Sequence, residues 1–591
     1  MGPGRQFGAG VRAEARATAS AAARATARAT ASTAARATVG LAAFLLLSWA
    51  GVERAAAQGA EVQDARAQDT PSRCEDQVGC DDQVERAIRV ASEGNLSEAD
   101  GILGEAWARC PRHPGVLREL AGLRFRQGRL HEAASLALQL LEVEPESEWG
   151  WILLATTRYL ADDPRGALRA WNEVGRPVTG EVRVQGGGAS SDGSPYRGVL
   201  GSAGVVQGQV LTPQALALAG RRLQAIPAVA GVRLDFRPMA DGSADVEVAV
   251  ALHAGSPLRG ALPGGALTYH LLRALLGELR VSTANPLGRL DRWEVTGVHE
   301  GRLRQATGTL ALPAPRGSGA WIWEVGHRVG RFAVPGAEVP IRLEWSGLRW
   351  THTHWITHSL RASGGGGIEK WAGSAPLAAG QASLLLEPPE SRVAVDLSLE
   401  GWWGREGADG SLDGGDAAGG GPPRGFTRAS VLGGYQGPGS GGGPSRTEFD
   451  LRLGADAVSV ATPLDLYPRF GAGAAATHLL RAGSAMDGEG VVRLPPSGRA
   501  WVHGGFEARR WAGTLGPSQM AIALFGDVVR GLSGSVGPTK TELHVGTGLR
   551  LRVPGGSGWL RLDWAIDPAS GASRGSMGFM DRSGGSPFRT R

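Results

Sequence analysis

Leu549-Arg550-Leu551-Arg552-Val553 and, a few residues on, Leu560-Arg561-Leu562-Asp563-Trp564-Ala565-Ile566-Asp567 alternate apolar and polar residues with a period of two. Successive side chains of a strand point to opposite faces, so this period means strand. Similar segments recur between Trp501 and Pro568. In each, one face is apolar and the other charged. Such a strand fits a soluble sheet with its apolar face on a core, or a transmembrane barrel with lipid on that face and a wet lumen behind the other. The rest of the chain has to decide.

At 591 residues the chain exceeds one ordinary core, so several domains are expected. Residues 1–57 are rich in Ala, Arg and Thr and contain the apolar run Val39 to Val52, then Ala55-Ala56-Ala57. The run is too short for a bilayer span of ~20 residues, and the small residues suit cleavage after Ala57. This reads as a secretory signal, with an uncleaved anchor as the alternative. It holds seven Arg against Glu14 and Glu53, a net of +5, which is the formal charge of the whole chain. The remainder is therefore near neutral, and nucleic acid is not an expected partner. In an oxidising compartment Cys74, Cys80 and Cys110 leave open which pair forms, if any.

After a linker at 58–81, residues 82–175 turn helical in period and superpose on themselves at a shift of 34. Ala99, Ala133 and Ala167 fall in step, as do Gly94, Gly128 and Asp162, Pro111 and Pro145, Ala121 and Ala155, and Phe125 and Tyr159. A repeat of this kind resembles tetratricopeptide repeats. The resemblance implies docking of partner proteins; a spacer arm of stacked helices is the plainer reading.

Residues 179–254 read as strand (Glu181 to Gln185), weak helix (Tyr196 to Gly208), a second helix with Thr212 as N-cap and Pro213 at its first position, then two alternating runs around Asp241-Gly242. With the run Leu223-Gln224-Ala225-Ile226-Pro227 leading into Val232-Arg233-Leu234, this order resembles a POTRA domain, the periplasmic module that precedes outer-membrane insertase barrels. The resemblance implies an exposed strand edge for extended clients, expected at Val246, Val248 and Val250. A linker domain without clients is the alternative.

Residues 255–284 read as a connector with one more helix over Leu267 to Leu279. Beyond it, alternating runs recur at Trp321 to Val325, Arg342 to Trp345, Val393 to Glu400 and Phe449 to Leu453, separated by loops such as Gly404 to Arg424 and Gly437 to Ser445. Thirteen of the 18 Trp fall at or after Trp293, as interfacial girdles would require, or a large sandwich core. At ~20 residues per strand and connection, 285–591 holds about 14 or 16 strands. The local pattern resembles the BamA/TamA outer-membrane insertase superfamily. Asn285-Pro286-Leu287-Gly288-Arg289 looks like the entry to its first barrel strand, Phe525-Gly526-Asp527 like its aromatic-x-Asp motif, and Glu507 like the Glu on the strand before. The resemblance implies that Glu507 and Asp527 receive an Arg from a long loop folded into the lumen. The family's loop reads Arg-Gly-aromatic; Leu480-Arg481-Ala482-Gly483 is the nearest stretch ahead of Phe525, which makes Arg481 the expected loop arginine, while Arg530-Gly531-Leu532 sits beyond Asp527. Such barrels also end on an aromatic residue, whereas here Phe588 stands three residues before the last.

Chemistry finds little support. His352, His354 and His358 share a strand face, but His354 and His358 would be about 13 Å apart. Gly571-Ala572-Ser573-Arg574-Gly575 spells a nucleophile elbow with no helix after it and no Asp and His following in order. No phosphate loop or zinc-protease motif occurs, so neither an enzyme nor a metal or cofactor is expected. The expectation is a multi-domain protein: an all-α repeat, a small α/β POTRA-like module, and a transmembrane antiparallel β-barrel of about 16 strands over 285–591. It would lie in the cell outer membrane with its N-terminal domains in the periplasm, assisting insertion or passage of unfolded outer-membrane or secreted proteins, with outer-membrane lipid and periplasmic proteins as partners. A passive pore or anchored scaffold is the alternative, and a soluble secreted binding protein a third.

Overall fold

The computed structural model describes residues 77–185, 197–253, 271 and 273–581, apart from 315–318, 334–338, 390, 405–424, 441–445, 460–461, 472–478, 484–485, 494–498, 516–517, 534–540 and 553–557. The expected leader, Cys74, most of the two Gly-rich loops and Phe588 lie outside the described residues. There are two compact units: one runs to Gln224 and takes in Ala230–Ala251, the other takes in Ala225–Val229 and the chain from Leu252 onwards.

In the first unit, helices α1 (Gln77–Ser92), α2 (Leu96–Arg109), α3 (Pro114–Arg126), α4 (Leu130–Val143), α5 (Glu148–Leu160) and α6 (Pro164–Asn172) follow one another. The first of them starts inside the segment read as linker. Helices α2, α4 and α6 begin at residues 96, 130 and 164, and α3 and α5 at 114 and 148, always 34 apart. Gly94, Gly128 and Asp162 take left-handed φ of 91°, 74° and 63° in the tight turns. Ala99, Ala133 and Ala167 are each fully buried, which lets neighbouring helices approach closely. Cys80 and Cys110 are joined, tying α1 to the end of α2.

Strands β1 (Val178–Gln185), β2 (Val229–Pro238) and β3 (Ser243–Leu252) form a three-stranded sheet in the order β1-β3-β2, with helices α7 (Arg197–Ala203) and α8 (Pro213–Gln224) between the first two in sequence. Gly242 turns with φ 83°, and Asp241 Oδ1 accepts from the Ser243 N–H at 2.9 Å. The expected edge is misplaced. Val246 and Val248 pair in parallel with Val182 and Val184 of β1 on the central strand, and both are fully buried, with Val250 half-buried farther along the same strand. Alternation alone marks a strand, not its place in the sheet; the outer strands are β1 and β2.

The second unit is a sixteen-stranded sheet. Fifteen strands form one antiparallel meander: β4 (Glu278–Ala284), β5 (Arg292–Glu300), β6 (Leu303–Pro313), β7 (Gly319–Ala333), β8 (Ile341–Trp355), β9 (Leu360–Trp371), β10 (Leu377–Leu386), β11 (Val393–Trp403), β12 (Gly425–Ser440), β13 (Thr447–Val458), β15 (Ala500–Leu515), β16 (Ser518–Ser533), β17 (Thr541–Arg552), β18 (Gly558–Ile566) and β19 (Ser573–Asp581). The sixteenth, β14 (Val492–Arg493), lies parallel to β7. Two expectations are corrected. The sheet begins at Glu278, inside the segment read as a connector, and Asn285 to Gly288 form the turn between the first two strands rather than the entry to the first. Asn285 takes φ 56°, its Oδ1 accepts from the Leu290 N–H at 2.7 Å, and Gly288 takes φ 71°.

The sheet's faces are inverted relative to a soluble one. Ile368 is 62% exposed while its neighbour Glu369 is 0%. Leu399 alternates in the same way with Glu400, Leu451 with Asp450, Leu524 with Asp527 three residues on, and Leu562 with Arg561 and Asp563. Long acidic and basic side chains are almost never the buried row of a sheet unless that row is enclosed and paired. Described residues of the connection between β13 and β15 pack on this row. Leu466 packs with Trp345, Trp371, Trp402 and Phe426, Phe470 and Leu480 with Trp501 and Val529, and Met486 and Val492 with Leu303 and Phe332. Residues of one segment thus touch strands from β6 to β16.

Candidate functional site

At its far end the connection turns through Leu480, with φ 57°, and sends Arg481 into the charged row. Arg481 Nη1 lies 2.9 Å from Glu507 Oε2 and Nε 3.2 Å from Asp527 Oδ2, and the guanidinium carbon stands 3.9 Å from the centre of the Phe525 ring. All four residues singled out in the sequence are brought together by the register of β15 and β16, which sets Glu507 opposite Phe525. Planarity matters here. One face of the guanidinium covers the ring while its edges meet two carboxylates on neighbouring strands, which a lysine ammonium could not do at once.

Strands β17 and β18 complete the cluster with residues that motif reading passed over. Arg550, wholly buried, forks onto Glu507 through Nε and Nη2 at 2.9 and 2.8 Å and reaches Asp563 Oδ1 through Nη1 at 2.6 Å. Arg561 Nη1 adds a contact of 3.1 Å to the other Asp563 oxygen, and Asp563 also lies 3.7 Å from Arg481 Nη1. Arg481, Arg550 and Arg561 thus face Glu507, Asp527 and Asp563, and Arg509 Nε lies 4.0 Å from Glu507 Oε1; paired in this way, ionised groups persist away from water. His544 holds the loop from a further side: its Nδ1 accepts from the Ala482 N–H at 3.1 Å. These residues were visible in the sequence as the charged rows of β17 and β18. Only strand register could show which of them meet.

Glycines make the space. A Cβ at Gly548 would come within 2.2 Å of Asp563 Oδ1 and 2.6 Å of Arg550 Nη1, and one at Gly546 within 2.6 Å of the Phe525 ring. The same connection has a second attachment on the far side of the enclosed face, where the Asp465 carboxylate pairs with Arg328 and accepts from Trp371 Nε1 at 3.0 Å.

No family model matches the chain, and no curated protein matches it. Solved structures similar to it in part include two outer-membrane proteins. BamA from Haemophilus ducreyi lacking POTRA domains 1-3 shares 11% identity over 68% of this chain and 84% of that one, with a TM-score of 0.37. CdiB from Escherichia coli shares 14% over 68% and 75%, with a TM-score of 0.43. Likenesses this slight settle nothing, and the chain's own geometry has to speak.

His352 and His354 stack at 6.3 Å beside Trp321, and His358 lies beyond the end of β8. Ser573 simply opens β19. Among the described residues no group of three or more His, Cys, Asp or Glu is placed to hold a metal, and no helix is long and apolar enough to cross a membrane, which says nothing of strands.

Proposed function

We propose that the sheet is a closed outer-membrane β-barrel, and that the protein assists the insertion or passage of other outer-membrane or secreted proteins. The observation that carries the membrane reading is the inversion of the strands: Ile368, Leu399, Leu524 and Trp564 are exposed while Glu369, Glu400, Asp527 and Asp563 are buried. Water offers no reason to turn a sheet inside out; hydrocarbon does, since it rewards the apolar row and leaves charge only the enclosed side.

Assistance to clients is favoured over a passive pore because a loop is fastened along the inner face. Described residues of the connection between β13 and β15 are pinned at Arg481 and at Asp465 and pack apolar side chains against three stretches of wall. The helices at 77–172 read as tetratricopeptide-like repeats and the three-stranded module as POTRA-like, both on the periplasmic side, with the unpaired edge of β2 rather than β3 as the place for an extended client. No covalent step or cofactor is involved; closing the client's own sheet in lipid satisfies its backbone and supplies the driving force. The test is deletion of residues 82–254 in the native host, followed by the abundance of other outer-membrane barrels. Their loss, with this protein still in the membrane, supports the reading; unchanged abundance, together with steady ion conductance by the purified protein, favours the pore.

A further inference from the structure

The two ends of the meander, β4 and β19, share no backbone ladder among the described residues. A different contact joins them. Arg273 lies in a helical turn just before β4 and is only 3% exposed. It pairs with the carboxylate of Glu278, the first residue of β4, and its guanidinium carbon stands 5.8 Å from the centre of the Phe579 ring on β19. In the same helical turn Leu271 and Leu275, four residues apart on one face, are 56% and 81% exposed. The turn therefore repeats the inversion of the strands, with leucines outward and the charge turned in. An arginine shielded on an otherwise apolar outer surface holds its place through partners, and two of them, Glu278 and Phe579, sit on opposite ends of the sheet.

We propose that Arg273 is the clasp of the seam: a positioning residue that closes the barrel by holding the last strand to the first through Phe579 and Glu278. Releasing it frees the edges of β4 and β19 without disturbing the rest of the wall. This rests on the barrel reading, and the two fail differently: a wild-type protein without heat-modifiable gel mobility removes the barrel, whereas the clasp is judged only on variants that keep that shift.

The experiment is strand-resolved hydrogen exchange on the full chain in detergent or bilayer discs, for wild type, Arg273→Ala, Phe579→Leu and the double variant. Expected is faster exchange, on the order of tenfold, confined to β4 and β19, with β15, β16 and β17 unchanged. A merely structural loss would speed every strand. Because both substitutions remove one contact, the double variant should exchange no faster at the seam than Arg273→Ala alone. Arg273→Lys, which keeps the charge beside Glu278 and the ring, should restore part of the protection. Should Arg273→Ala fail to fold, Phe579→Leu carries the test, since it removes the ring and leaves the Arg273 and Glu278 pair intact. Unchanged exchange at β4 and β19 in a folded variant, acceleration spread over all strands, or effects that multiply in the double variant would each overturn the clasp.

Discussion

Arg481 and Glu507, on a loop and on a strand, meet at 2.9 Å in a site where both are nearly buried. Taking away one partner of such a pair strands the other. Arg481→Ala takes a charge partner from both Glu507 and Asp527, at an expected cost of about 3–5 kcal/mol. Arg481→Lys should recover little of it, because a point charge cannot meet both carboxylates and cover Phe525. Urea unfolding of the purified protein, read by gel mobility, checks both.

A charge on the exposed row separates lipid from water as the surroundings. Leu524 is 60% exposed. In water Leu524→Arg would shift stability by no more than about 0.5 kcal/mol. Facing hydrocarbon near the midplane it should cost about 2–4 kcal/mol and lower the yield of folded protein in membranes. Folding into vesicles, compared with wild type, gives the answer.

Glycine substitutions map the cradle. Gly548→Ala drives a methyl into Asp563 and Arg550, whereas at Gly526 a Cβ finds its nearest neighbour at 3.9 Å. Gly548→Ala should therefore destabilise the sheet by more than about 1 kcal/mol, as overpacking does, and Gly526→Ala by much less. The ratio of their unfolding midpoints in denaturant reports this directly.

The helical unit has its own fastening. The bond between Cys80 and Cys110 closes a loop across a sequence separation of 30. Cys80→Ser should destabilise that unit by about 2–4 kcal/mol, and reductant should do the same to wild type. Thermal unfolding followed by far-ultraviolet circular dichroism, with and without reductant, measures it.

How far the sequence went depended on the range of the interactions involved. Local signals were legible: period two at Leu560 to Ile566, the 34-residue step, the Asp241-Gly242 turn. The meeting of Arg481 with Glu507, Phe525 and Asp527 followed from a family resemblance, since nothing local ties residue 481 to residue 527. Arg550, Asp563 and Arg561 were quoted as members of charged rows, but which of them reach Glu507 depends on the register of β15 to β18, set over the whole sheet. The edge expected at Val246 and Val248 rests on a resemblance, and an alternating run looks the same at the edge and at the centre; the parallel partner β1 lies well upstream in sequence. The strand entry expected at Asn285 rests on the same kind of likeness, while Asn and Gly suit the turn they make here equally well.

The inverted sheet is proposed to be a closed barrel in the outer membrane. Its most direct test is gel mobility of the protein from isolated outer membranes, unboiled against boiled. A clear shift between the two, with the unboiled form holding its compact mobility in detergent, is the result expected here. An unshifted band, from protein found in the soluble periplasmic fraction, would contradict it.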